Sequence, residues 1–393
     1  MNDILKEARS LFDYSQEIRR TIHQNPELSF EEYETSALVK RELDSFKIPW
    51  IAVGETGIVA TITGRKAASG KRKVVALRAD MDALTIEEEA DVAFKSKIEG
   101  KMHACGHDLH TTSLLTAARL LDRHRDDFGG TVKLIFQPAE EMVRGAEMMM
   151  KENSFIKDVD CIVGMHVMPF LKTGCLGFKD DGFMFGGEYF EISVKGKAGH
   201  GSQPETAVDA LLAASAIVQN SKSITSQEIS ALDSVVLTIC TMEAGTRLNI
   251  IAENAKMTGT IRFLEEKDRK NLKASLERIT KATAETFSAQ GQVRWDMYVP
   301  AVQNDSKLGS CLRKIAEQLV GKDNLEELRP LTSSEDFAYF AQQVPGYFVI
   351  LGCGNEGSEN PPVHSGLFNP NEECLPIGAA AYAQFAIDLL EER

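Results

Sequence analysis

The sequence predicts an α/β protein of two domains: a mixed, mostly parallel sheet with helices on both faces, interrupted by an inserted βαββαβ domain of ferredoxin-like type. Three observations lead there. Continuously apolar runs, such as Thr131 to Phe136 and Cys161 to Met165, alternate with helical patterns, as strands buried on both faces do. From about Tyr189 the strands alternate in polarity instead, and the element order becomes that of a split βαβ layer. At 393 residues the chain also exceeds what one ordinary hydrophobic core holds.

Taken in order, Ser29-Phe30-Glu31-Glu32 reads as a capping box opening a helix towards Phe46. Ile58 to Ile62 and Lys73 to Leu77 read as strands, with the polar stretch Ala67 to Arg72 as the loop between them. Thr111 to Asp122 reads as a helix, followed by the strands Thr131 to Phe136 and Cys161 to Met165. The inserted domain comprises strand Tyr189 to Lys195, helix Ala207 to Gln219, strands Ser234 to Thr241 and Lys256 to Phe263, helix Lys267 to Ser288 and strand Val293 to Tyr298. A helix over Ser306 to Val320, a strand over Tyr347 to Leu351 and a helix from Ile377 then resume the first pattern. The expected division is 1–181 with 299–393, and 182–298.

A hydrophobic content of 43% and a charged content of 26% match a folded globular chain. The net charge of -14 without a clustered Lys/Arg run argues against a nucleic-acid partner, and none is expected. The longest apolar stretch, Ala210 to Val218, is too short to span a bilayer, so no membrane partner is expected either. Met1 to Lys6 lacks a signal-like apolar stretch, and seven scattered cysteines suit a reducing compartment; the expected location is the cytoplasm.

In an open parallel sheet, chemistry gathers at the carboxyl ends of strands. Met102 to His110 holds three histidines, Cys105 and Asp108. Cys105 and His107, separated by one glycine, can turn towards one ion from a loop. An alternative pairs His107 with His110 on a helix, leaving Cys105 aside. Glu140 and Glu141 follow a strand, and adjacent carboxylates in a dry cleft call for a cation. One of them can bind it while the other handles the proton of water, which a metal acidifies. Asp80 and Asp82 also follow a strand; Asp82 reads as orienting a ligand, and Asp80 is open. His166 after its strand and His364 in a Pro-rich turn complete a nitrogen, oxygen and sulfur donor set. No phosphate loop and no serine nucleophile elbow are present.

These residues, together with Ile22-His23-Gln24-Asn25-Pro26-Glu27-Leu28, Arg78-Ala79-Asp80-Met81-Asp82-Ala83-Leu84, Gln137-Pro138-Ala139-Glu140-Glu141 and His364-Ser365, span nearly the whole chain. The set resembles the M20 metallopeptidase family, in its amidohydrolase branch of aminoacylases, hippurate hydrolases and auxin-conjugate hydrolases. The resemblance implies a zinc-peptidase-like catalytic domain with two divalent ions per subunit, held by Cys105, His107, Glu141, His166 and His364. Zn²⁺ or Mn²⁺ is the implied occupant, with Co²⁺ or Ni²⁺ admissible in vitro; which ligand bridges the ions stays open. It also implies Glu140 as general base and acid, and a lid domain that makes a homodimer. His200 would stabilise the oxyanion in the partner's site, and Asn249 and Arg262 would hold a substrate carboxylate. The chain departs from the branch at Met142 to Ala146 and at Gly201 to Thr206, both near the expected acyl group.

The expected activity is hydrolysis of N-acyl-L-amino acids, with small N-acyl amino acids or short peptides as ligands. Its rivals are a metallo-carboxypeptidase or dipeptidase, and a binding protein that keeps the metal as a staple.

Overall fold

The protein is described by a computed structural model covering residues 2–67, 72–357 and 359–391. The loop expected at Ala67 to Arg72 lies, at residues 68–71, outside the described residues. The chain divides into two compact units: Met1–Asp181 with Gln303–Arg329 and Asp336–Arg393, and Gly182–Val302 with Pro330–Glu335.

The first unit is built on an eight-stranded sheet in the order Trp50–Val53, Gly57–Thr63, Thr131–Gln137, Val74–Asp80, Cys161–Lys172, Gly346–Gly354, Leu176–Phe178, Leu325–Glu327. Its four central strands run parallel to one another, and the antiparallel pairings lie towards the edges. The central strands are apolar because both faces are covered: every residue of Gly346–Gly354 is buried, as is nearly all of Val74–Asp80. Helices His107–Arg123 and Cys374–Leu390 pack on each other and on Val74–Asp80, joining Leu114, Leu121, Ala380 and Phe385 to Leu77 in one core. Burying each such leucine or phenylalanine contributes about 1.5–3 kcal/mol.

The expected elements occur, with differences at their ends. The helix expected from Ser29 starts at Tyr33, and Glu32 at its N-cap makes no capping hydrogen bond. Both ends of the supposed capping box are engaged elsewhere, in the functional site. The helix expected from Thr111 begins at His107, one turn earlier. The strand expected to stop at Met165 continues to Lys172, because Gly346–Gly354 pairs with it past that point, Ile350 opposite His166. His166 therefore lies within a strand rather than after one, and Asp80 closes its strand instead of following it.

The second unit is a four-stranded antiparallel sheet in the order Val235–Ala244, Asn254–Phe263, Gly186–Lys195, Gln290–Val299, with helices Ala210–Ser223 and Glu266–Thr286. In chain order this is βαββαβ. Alternation places Ala255, Met257, Ile261 and Phe263 in a core with Ile217, Leu272 and Leu276, leaving the other sheet face polar. The helix expected from Ala207 begins three residues later because Asp209 caps it, accepting from the N–H groups of Leu211 and Leu212. All seven cysteines are free, and Cys240 is exposed. No helix among the described residues is long and apolar enough to cross a membrane.

Candidate metal centre

The first unit gathers Cys105, His107, Glu140, Glu141, His166 and His364. Gly106 makes the first bend: its φ of 90° is a left-handed conformation, and a Cβ there would meet Val167 Cγ2 at 2.4 Å. The turn leaves Cys105 in the loop and His107 at the first helical position. After strand Thr131–Gln137 the chain passes Ala139, whose φ of 54° is also left-handed, and delivers Glu140 and Glu141. His364, with φ 65°, is presented from a turn whose N–H donates to the carbonyl of Ala104.

The ring nitrogens are oriented by backbone and carboxylate partners. His166 Nδ1 donates to its neighbour's carbonyl, Val167 O, at 2.7 Å, and Nε2 faces the Cys105 sulfur at 3.3 Å. His107 Nδ1 donates to the carbonyl of Asp82 at 2.9 Å and stands 3.2 Å from the carboxylate of Asp82. Its Nε2 lies 4.0 Å from Glu140 and 3.9 Å from Glu141. His364 Nε2 is 3.5 Å from Glu141.

Among the described residues, several groups of three donors have their ligand atoms within 4.8 Å of one another, including His107 with Glu140 and Glu141 and Asp80 with His107 and His110; two others centre on Cys105, one with His107 and His166 and one with Glu141 and His364. Cys105 belongs to both. His107 Nε2 and Glu141 Oε1 are buried and make no hydrogen bond, although an unpaired buried polar atom is costly. A divalent cation satisfies both, and a sulfur, nitrogen and oxygen set suits a transition metal or zinc. The residues present therefore fit a metal pair.

The electrostatics agree. Burial pushes the Cys105 thiol well above its ordinary range, and the charge of Glu141 adds to it. Burial likewise drives Glu141 up to about 7. Burial opposes charge on His107, but Asp80 and the Cys105 sulfur outweigh it and raise its pKa well above the ordinary value. Burial and the neighbouring His110 depress His166. The cluster holds more negative ligands than its own protons comfortably neutralise, a condition that a cation relieves.

Asp82 is fully embedded among these residues: its carboxylate accepts from the N–H of Glu140 at 3.1 Å, the N–H of Glu141 at 3.0 Å and the hydroxyl of Ser29 at 2.6 Å. Asp80 is held between Arg78 and His110, each at 2.6 Å. His110 passes that orientation on, since its Nε2 accepts the N–H of Val167, next to His166, at 2.8 Å. Both ring nitrogens of His110 are thus engaged, which weighs against the alternative His107 and His110 pair.

The sequence reading missed several residues. Arg78, fully buried, bonds Gln137, Asp80 and Asp336, and Asp336 accepts the N–H of Ala146 beyond the glutamate turn. An arginine inside an apolar strand was the available signal. His23 lies between Asp108, 2.7 Å, and Glu88, 3.0 Å, with Arg19 against Asp108.

The remaining candidates stand in the second unit. His200 is exposed in a two-residue strand opposite Ile250, and its Nδ1 is 2.7 Å from the Ser202 hydroxyl. Asn249, also exposed, accepts the N–H of Gly201 on its carbonyl, so these two adjoin. Arg262 crosses the sheet opposite Gly187, where a Cβ would lie 2.1 Å from its Nη1; it donates to Ser334 at 2.8 Å and to Tyr189 at 3.4 Å.

Known proteins share this arrangement of sequence and fold. The chain is 37% identical to an N-acetylcysteine deacetylase of Bacillus subtilis over 95% of its own length and 96% of the relative's. It is 37% identical to an IAA-amino acid hydrolase of Arabidopsis thaliana, covering 99% of this chain and 88% of that one. It is also 37% identical to a thermostable carboxypeptidase of Saccharolobus solfataricus, over 97% and 96%. A Bacillus subtilis crystal structure described as a dinuclear metal-binding peptidase of the M20 family superposes with a TM-score of 0.85 at 33% identity, over 98% of this chain and 100% of that one. Residues 76–388 match the profile of peptidase family M20/M25/M40. The chain belongs to that family.

Proposed function

We propose that this metal-dependent hydrolase cleaves the amide bond of N-acyl-L-amino acids, releasing a carboxylic acid and a free amino acid. The observation that carries the reading is the adjacent glutamate pair: the two donor sets that share Cys105 draw on Glu141 and not on Glu140, whose carboxylate stands 4.0 Å from His107 Nε2. A structural metal site is closed by its ligands and has no use for a spare base. In this reading Cys105, His107 and His166 would hold one ion, and Cys105, Glu141 and His364 the other.

Bound divalent ions, Zn²⁺ or Mn²⁺, supply polarisation of the scissile carbonyl and acidification of water. Glu140 takes the proton of the attacking water and returns it to the leaving nitrogen. Asp82 keeps Glu140 and Glu141 at fixed separation through their N–H groups and holds His107 in the tautomer that leaves Nε2 as the donor. Arg262 and Asn249 bind the free α-carboxylate, and His200 stabilises the oxyanion in the site of a partner subunit, in a homodimer formed through the second unit. The deacetylase and the IAA-amino acid hydrolase among the relatives support the acyl amino acid class.

A second reading, carboxypeptidase action on peptide bonds, is favoured by the 37% identity to thermostable carboxypeptidases. Release of free amino acid from N-acetyl, N-benzoyl and longer N-acyl amino acids, measured beside dipeptides and N-blocked peptides after loading with Mn²⁺ or Zn²⁺, separates the two. Turnover confined to peptides overturns the first. Glu140→Gln is expected to keep both metal ions and lose about 10²–10⁴-fold in kcat; full activity in that variant removes Glu140 from the mechanism.

A further inference from the structure

Ser29 to Glu32, which reads as a helix cap, does different work. Among the non-glycine residues with left-handed backbone near the metal centre are Phe30, with φ 65°, and Ala139, with φ 54°. Such backbone is uncommon outside glycine and persists only where surroundings over-determine it. One carboxylate oxygen serves both: Glu32 Oε1 accepts the N–H of Phe30 at 2.9 Å and the N–H of Ala139 at 2.9 Å. The other oxygen, Oε2, accepts the hydroxyl of Thr56 at 2.8 Å. Glu32 is fully buried, so removing it strands the buried N–H of Ala139 and leaves the half-buried N–H of Phe30 without its acceptor.

Ala139 immediately precedes Glu140 and Glu141. The far side of the same turn is closed by the N–H of Val143 on the carbonyl of Glu140 and the N–H of Gly145 on the carbonyl of Ala139. A Cβ on Gly145 would come within 1.6 Å of Pro138 O, so the turn has no slack there. Asp82 anchors the turn at Glu140 and Glu141, and Ser29, three residues before Glu32, anchors Asp82 in return. Two buried carboxylates, 50 positions apart in the chain, thus stitch the Ser29 to Glu32 segment to the glutamate turn.

We propose that Glu32 is a positioning residue for the catalytic turn, fixing the left-handed bend at Ala139 so that Glu140 faces the reacting centre and Glu141 reaches its metal ion. The proposal rests on the reading of Glu140 and Glu141 given above. It depends on acceptor geometry, not on a negative charge: burial and the nearby charge of Asp82 push the Glu32 carboxyl up to about 7, and a neutral acid still offers Oε1 to both N–H groups. Glutamine can do the same, with its amide NH₂ donating to the Thr56 oxygen.

The test compares Glu32→Leu, Glu32→Gln and Thr56→Val with the parent by two readouts: calorimetric titration of the metal-free proteins with Mn²⁺ alone, and kcat and KM at saturating Mn²⁺. Glu32→Leu is expected to weaken one of the two Mn²⁺ sites about 10–100-fold and to cut kcat by about 10²-fold, with KM changed less than about threefold. Glu32→Gln should recover both to within about fivefold. Thr56→Val leaves both N–H contacts in place, so it serves if the leucine variant does not fold; a loss of about three- to tenfold in the same two quantities is expected. Folded Glu32→Leu or Thr56→Val matching the parent in Mn²⁺ affinity and kcat overturns the proposal, as does a glutamine variant as impaired as leucine. A parent that binds Mn²⁺ but hydrolyses neither acyl amino acids nor peptides overturns the functional reading instead, and the Mn²⁺ titrations then decide the role of Glu32 alone.

Discussion

Asp82 holds His107 from two sides at once: the Nδ1 of the histidine lies 2.9 Å from the backbone carbonyl of Asp82 and 3.2 Å from its carboxylate. The same carboxylate receives the N–H groups of Glu140 and Glu141. A single aspartate therefore sets the tautomer of one ligand and the backbone path of two carboxylates. Asp82→Ala is expected to lower metal affinity or kcat about 10–100-fold while the fold persists. Atomic absorption of the purified variant and kcat at saturating Mn²⁺ measure this; parent values in both would remove Asp82 from the site.

Because Cys105 is common to both donor sets, its loss should be felt by both ions, whereas loss of His364 should be felt by one. Cys105→Ala is expected to bind neither ion tightly, and His364→Ala to retain about one per subunit. Metal counting after dialysis against a fixed free Zn²⁺ concentration reads this directly. Equal stoichiometry in the two variants would show that the sulfur does not bridge.

The acidity of Glu141 predicts how metal and pH combine. Its carboxyl is raised by burial from the ordinary 4.5 to about 7. A carboxyl raised on folding stabilises the metal-free protein fully below its ordinary range, and that contribution is lost as pH climbs through about 7. A cation reverses the balance, since it needs the ionised carboxylate and thiolate and competes with their protons. The rise in Tm on adding Mn²⁺ is therefore expected to be larger at pH 8 than at pH 5.5. Scanning calorimetry at both values checks it, and a larger rise at pH 5.5 would contradict the assignment of Glu141 as a ligand.

Arg78 is fully buried between Asp80 and Asp336. Arg78→Met removes the cation and leaves both acids without it, so a destabilisation of about 3–5 kcal/mol is expected. Urea unfolding of the metal-free variant measures this. A loss under about 1 kcal/mol would mean that water reaches the aspartates.

Sequence periodicity located the elements well, since apolar patterning is a local property: the helix Ser306–Val320 and the strand Thr131–Gln137 appear within one residue of expectation. Their ends were less legible. The helix at His107 gained a turn because Gly106 takes a left-handed bend that a residue pattern does not advertise. The strand through His166 ran on because a partner nearly two hundred positions away continued to pair with it. Ser29 and Glu32 carried the residue types of a helix cap, yet buried partners at Asp82, Thr56 and Ala139 claimed them. Local rules do not weigh such competitors.

By itself, then, the sequence determined the two sheet patterns and the supply of metal-binding side chains, because hydrophobic alternation and the donor chemistry of Cys, His and Glu reside in single residues and short spacings. Only the tertiary structure decided that Cys105 belongs to two donor sets, that Asp82 rather than Asp80 carries the glutamate turn, and that Glu32 fixes the bend before it. Those relationships hang on distances of about 3 Å between groups remote in the chain, which exist only once the strands have been paired and the core has closed.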